Sequence, residues 1–261
     1  MFFMEANVKG LTGGHSGDDI NKKRANAIKL MARFLYMEMK KMPLALAQID
    51  CGKAHNAIPR EGSMTFAVPA ARKEEVKADW NIFVSDVAEE YHATEGRQDM
   101  TLGSAERQPV IEADAARRII LTLQAIDNGV FNMCQDEELA WLVETSSNLA
   151  SIHTSDDKAI VVTSQRSNVM SQRQNMAATV AACFELAGAQ VEQGDGYPAW
   201  QPRKDSHLVD ITAQTYRELF GREPKVLGIH AGLECGLFSE RYPNLDMVSF
   251  GPTLRGVHAP G

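Results

Sequence analysis

Residues 26–39 place apolar side chains at Ala27, Ile28, Met31, Phe34, Leu35 and Met39, the spacing of one helix face, and Pro43 ends the run. The period then changes. Leu-Ala-Leu-Ala-Gln-Ile-Asp-Cys at 44–51 predicts a strand, 63–68 predicts its partner, and a β-like run at 5–10 precedes the helix. A second helix is predicted over 73–91, with Val76, Trp80, Phe83, Val84 and Val87 on one face, and 100–105 follows as a further strand. This order is β-α-β-β-α-β, the split βαβ arrangement.

The pattern then recurs. A helix is predicted over 113–126 and strands over 142–152 and 159–164, separated by the turn-like His153-Thr-Ser-Asp-Asp-Lys158. Residues 169–187 read as a helix with Gly188 as its C′ residue, and 189–193 as a last strand. The two halves share pattern but no residue-level identity. The expectation is an α+β fold: a doubled ferredoxin-like unit with helices on one face of a mainly antiparallel sheet, its halves at about 1–108 and 109–194. Glu-Gln-Gly-Asp-Gly-Tyr-Pro-Ala-Trp-Gln-Pro at 192–202 has no period and reads as a domain crossing. Beyond it, 205–220 predicts a helix capped by Asp205 or Ser206, and 224–229 and 245–250 predict short buried strands. The roughly 60 residues after the crossing are too few to fold well alone. Either they pack on the first domain or most of their own domain is missing.

Composition narrows the class. Hydrophobic content of 44% and charged content of 23% are those of a globular protein. The net charge of −7 argues against a nucleic-acid or anionic-membrane surface. No apolar run is long enough to span a bilayer, and the apolar start Met-Phe-Phe-Met is too short for a signal peptide. Cys51, Cys134, Cys183 and Cys235 are scattered, form no CxxC pair, and fit mostly buried thiols in a reducing cytoplasm.

The candidate chemistry lies in loops and strand ends. Gly10, Gly13, Gly14 and Gly17 surround His15, which is either a ligand-facing residue or a solvated turn histidine. The segment lacks the lysine and the spacing of a phosphate loop or dinucleotide fingerprint. Asn56, before Ile58-Pro59, offers an amide suited to a peptide carbonyl or carboxylate, or simply steadies its turn. Arg166, ending a strand in Thr-Ser-Gln-Arg-Ser, is either a bidentate carboxylate clamp or one half of a surface salt bridge. His230 and Glu234 stand four apart, which on a helix would put them on one face as a weak metal pair, and Gly232 between them would let a ligand approach the backbone. His258, fixed by Pro260, is a metal ligand or a structural histidine. No HxD after a strand, no Glu-Glu pair after an apolar run, no HExxH and no GxSxG elbow completes a hydrolytic site.

The segments GLTGGHSG at 10–17, HNAIPRE at 55–61, ETSSNLA at 144–150, SQRS at 164–167, IHAGLECG at 229–236 and VHAPG at 257–261 together resemble, in order, the bacterial aminoacyl-histidine (Xaa-His) dipeptidases. These carnosinase-like enzymes belong to the co-catalytic zinc exopeptidases, with carboxypeptidase G and aminoacylase. The resemblance implies a lid and dimerisation domain at 1–194 and a truncated part of the α/β catalytic domain at 195–261. It implies cytoplasmic zinc-dependent hydrolysis of Xaa-His dipeptides such as β-Ala-His and Gly-His, with two zinc ions per complete site and cobalt or manganese as substitutes. It further implies a homodimer through the lid. His15 matches the lid histidine that stabilises the oxyanion. Asn56 and Arg166 match substrate-holding groups, Arg166 for the C-terminal carboxylate. Gly232 matches a backbone contact to that end of the substrate and His258 a zinc ligand, while Glu234 gains no role. The remaining ligands and the general base of that family are absent, so this chain is expected to be inactive alone. A non-catalytic dimerisation or binding module built on the lid fold is the alternative.

Overall fold

The computed structural model describes residues 1–96, 98–155, 157–203, 205–230 and 233–251. In chain order the elements are β1 (Phe2–Lys9), β2 (Gly14–His15), α1 (Ala27–Lys41), β3 (Ala45–Cys51), β4 (Ala57–Ile58), β5 (Gly62–Val68), α2 (Lys73–Glu90) and β6 (Asp99–Ser104). There follow α3 (Ala113–Ala125), β7 (Gly129–Met133), β8 (Val143–Thr154), β9 (Ala159–Ser167), α4 (Met170–Leu186), α5 (His207–Phe220) and α6 (Leu233–Arg241).

One antiparallel sheet runs β6-β1-β5-β3-β8-β9. Within it, β6-β1-β5-β3 with α1 and α2 is the βαββαβ unit expected for the first half. The second half departs from the doubled pattern. Its order is α3-β7-β8-β9-α4, residues 189–193 form no strand, and β8 joins β3 through Cys51 and Ile152, so both halves share one sheet. The β7 strand pairs with the first part of β8 but is interrupted by two register shifts. Its residues are exposed or half-buried, so it shows no apolar alternation for a sequence reading to find.

Helix α1 begins where Asn26 accepts hydrogen bonds from the N–H groups of Ile28 (2.9 Å) and Lys29 (3.3 Å), satisfying donors that a helix start leaves open. The Asn26 amide nitrogen donates to the carbonyl of Leu149 at 2.9 Å, which ties the helix to β8. One turn on, the Lys29 ammonium donates to the carbonyls of Leu123, Gln124 and Ile126, closing the C-terminal end of α3. Beneath lies the main core, in which Phe34 meets Trp80 edge-on at 4.8 Å, with Phe66 and Phe83 beside it. Ala187 and Gly188 end α4 as expected: Gly188, at φ +76°, and Ala189 return hydrogen bonds to Glu185 and Phe184.

Residues 189–203 form no helix or strand. Ser206 caps α5 by accepting from Val209 N–H, but α5 buries none of its residues. The segments 224–229 and 245–250 are not the buried strands that their apolar content suggests. Leu227 is 71% and Phe250 83% exposed, and a strand needs a neighbouring edge that no described residue supplies here. All four cysteines are free thiols. Cys51 is buried and the others are half-buried, so the expectation of mostly buried thiols holds for one. No helix among the described residues is long and apolar enough to cross a membrane.

Candidate functional site

Three loops and one strand pair build the site. The chain leaves β1 at Gly10 and turns through Gly13 and Gly14, both with φ in the left-handed region. A side chain on Gly14 would collide with Arg24 and Asp19, which brace the loop from behind. Asp19 accepts from the His15 N–H at 2.9 Å and pairs with Lys22 and Arg24. Burial by itself would raise the Asp19 carboxyl, but Lys22, the His15 N–H and Arg24 outweigh it and hold it below its ordinary range. Gly14 and His15, as β2, then pair with Ile58 and Ala57 of β4, and the Ser16 N–H donates to the Asn56 carbonyl at 2.8 Å. His15 and Asn56 are therefore on neighbouring turns.

The ring of His15 is oriented by its own loop. Its Nδ1 accepts from the Gly17 N–H at 3.2 Å, so in the neutral ring the proton sits on Nε2, which becomes a donor. Arg166 approaches from β9 and donates from Nε to Ser16 Oγ at 3.3 Å. A Cβ on Gly17 would stand 3.0 Å from Cε1 of His15 and 3.6 Å from Nη1 of Arg166, so ring and guanidinium flank the same glycine. Among the described residues Arg166 forms no salt bridge. Burial lowers its pKa, with only Asp18 acting against that. A half-buried guanidinium in this state favours an incoming carboxylate.

His230 closes the group. It is 2% exposed and shares a 2.9 Å hydrogen bond with Ser146 Oγ on β8, directly across from Arg166 in the β8–β9 register. Burial first, then the positive charges of Arg166 and His15, push its pKa down to about 4, so it is neutral at physiological pH. His230 precedes α6, whereas Glu234 lies exposed in the first turn of that helix. The two do not form the i, i+4 face considered from sequence. Gly232 and His258 lie outside the described residues. Among the described residues no group of three His, Cys, Asp or Glu side chains could hold a metal ion.

The structure thus brings together His15, the Asn56 loop and Arg166, adds Ser146 and Asn148, to which the sequence reading gave no role, and gives His230 a partner in Ser146 rather than in Glu234. The available signal was the polar run Thr145-Ser-Ser-Asn148 inside a strand of an otherwise apolar core. Chemically, the group offers a guanidinium that forms no salt bridge among the described residues, beside an imidazole N–H donor, a pairing suited to a small ligand with a carboxylate and a nearby carbonyl.

Residues 7–95 match the peptidase dimerisation domain of the M20 type. The chain is 35% identical to the cytosol non-specific dipeptidase of Escherichia coli strain K12 over 97% of its own length and 52% of the relative's. The crystal structure of aminoacylhistidine dipeptidase from Vibrio alginolyticus superposes with a TM-score of 0.89 at 38% identity, covering 97% of this chain and 51% of that one. The chain spans about half the length of both relatives. Over residues 7–95 the chain thus resembles the dimerisation domain of M20 peptidases, and its likeness to dipeptidases runs on through the residues of the site.

Proposed function

We propose that this chain is the substrate-facing lid, with one strip of the catalytic domain, of a zinc-dependent dipeptidase that hydrolyses Xaa-His dipeptides of the β-Ala-His and Gly-His type. The observation that carries the reading is the meeting of His15 and Arg166 at Gly17, from segments far apart in sequence. Arg166 takes the substrate's C-terminal carboxylate in bidentate fashion. The Nε2–H of His15 donates to the scissile carbonyl oxygen and steadies the charge that develops there. Asn56 holds the substrate between them. Gly232 contributes a backbone contact and His258 a zinc ligand, both by correspondence with the family's motifs.

Residues 1–194 form the lid and 195–261 the catalytic-domain segment in this reading. The exposed apolar side chains of α5 and α6, among them Ile211, Phe220 and Phe238, then face the remainder of that domain. The dimerisation-domain match supports a homodimer through the lid, and the cytosolic dipeptidase relative supports a cytoplasmic location. The described residues do not fit a metal pair by themselves. Zinc, or cobalt or manganese in its place, therefore belongs to the complete protein.

The test is an assay of this chain with added zinc against β-Ala-His and Gly-His. No turnover is expected, and robust hydrolysis by the chain alone overturns the reading of it as an inactive part of the enzyme. The encoding locus gives the second readout. An open frame running upstream, with an HxD after a strand, supports the enzyme; a genuine start at Met1 favours a non-catalytic module.

A further inference from the structure

Strand β8 is paired on both sides, and its residues Thr145, Ser146, Ser147 and Asn148 are each no more than 1% exposed. A strand so buried ordinarily runs apolar, because a polar group there loses water and must be given a partner. Thr145 and Ser147 spend their groups inside the sheet, on Ser167 Oγ (2.9 Å) and Gln165 Nε2 (3.3 Å) of β9. Asn148 instead leaves the sheet. Its amide nitrogen donates to the carbonyl of Ala57 at 2.8 Å and reaches that of His55 at 3.4 Å, the two residues that bracket Asn56. Two acceptors on one side fix the orientation of the amide. Its oxygen is turned away, buried and without a hydrogen-bond partner among the described residues. A smaller or apolar residue would avoid leaving that oxygen bare, so fold stability alone does not account for an asparagine here.

We infer that Asn148 is the positioning residue of the substrate site, a clamp that fixes the Asn56 loop, and with it His15, relative to Arg166. The loop is held from its other side by β2, through the His15–Ala57 pair and the Ser16 N–H on the Asn56 carbonyl. Moving the loop therefore moves His15. Arg166 stands opposite Ser146, two positions from Asn148 and on the same face of β8 by strand alternation. The separation of the carboxylate group from the carbonyl group of a bound dipeptide is then set by one strand's pleat. This inference rests on the proposed dipeptidase reading for its substrate.

The test uses Asn148→Ala, the milder Asn148→Ser, whose hydroxyl cannot span both carbonyls, and Ser147→Ala as a control on the opposite face. In hydrogen exchange of the 261-residue chain, the Asn148 variants should speed exchange at 52–61 and 13–17 about tenfold, the change expected from one lost buried hydrogen bond. Residues 62–68 and the Ser147→Ala protein should not change. Unchanged exchange in a folded Asn148 variant overturns the clamp. In the complete peptidase, Asn148→Ser should raise KM about tenfold more than it lowers kcat, with Ser147→Ala altering neither. Faster exchange with unchanged KM overturns the role in the site, and places the failure in the substrate reading rather than in the hydrogen bonds.

Discussion

His230 gives the sharpest pH prediction. In the folded chain burial and the charges of Arg166 and His15 hold its pKa at about 4, against 6.5 for an ordinary histidine. As pH falls through 6.5 the unfolded chain takes up a proton that folded His230 refuses until about pH 4. The group therefore withdraws stability as pH falls between those values, and the loss levels off below about 4. The full difference corresponds to about 3 kcal/mol, and to about 2 kcal/mol by pH 5. The comparison protein is His230→Gln, whose amide can keep the hydrogen bond to Ser146 but does not titrate. Urea unfolding followed by tryptophan fluorescence, at micromolar protein because the pI of about 5.5 is close, should show the wild type losing about 2 kcal/mol more than the variant between pH 7 and pH 5. A proton NMR titration of the His230 ring should find its midpoint near 4. Parallel pH curves for the two proteins would refute the reasoning.

Asn26→Ala removes both the α1 cap and the bond to the Leu149 carbonyl, and should cost about 2–4 kcal/mol in urea unfolding at pH 7. Gly52→Ala forces a side chain onto φ +79° and into the Ala150 carbonyl, so a loss of about 3 kcal/mol or more, or failure to fold, is expected in the same measurement. Phe34→Ala opens the aromatic cluster and should cost about 3–5 kcal/mol. Glu38→Gln runs the other way. Burial chiefly raises the Glu38 carboxyl, with Asp79 adding to it against Lys41, so the ionised form is disfavoured in the fold and its contribution falls as pH rises through the raised value. The Glu38→Gln protein should accordingly gain on the wild type in thermal melts at pH 8 relative to pH 4.

The βαββαβ half was legible because its helices and strands each bury one face, leaving clean periods such as Ala27, Ile28, Met31, Phe34 and Leu35. In the second half β8 was legible as an apolar-flanked run, but β7 buries little and never creates alternation, and the run at 189–193 forms no strand. Apolar residues near Val226 and Leu245 suggested strands because local composition carries no information about whether a partner edge is present. In the site, His15 and Arg166 could be marked as candidates from glycine spacing and strand-end position. Their meeting could not, because it depends on β2 pairing with β4 and on the β8–β9 register, both long-range. His230 was read against its sequence neighbour Glu234, when its actual partner is Ser146.

These contacts all trace back to one strand. Along β8, Ser146 holds His230, the position opposite it carries Arg166, Asn148 holds the Asn56 loop, and the Leu149 carbonyl accepts from the cap of α1. The Leu149 N–H donates to Asn128, which also binds the Asn26 amide, so the strand is fastened to the helix layer one residue after it is fastened to the loop. Stability and site geometry are consequently coupled over four consecutive residues. A substitution at Asn26, which touches no candidate ligand group, should disturb the Asn56 loop as well as the fold, whereas Phe34→Ala, deeper in the first unit, should lower stability with little effect on that loop. The two variants separate a site that is only held up by the core from one that is set by β8.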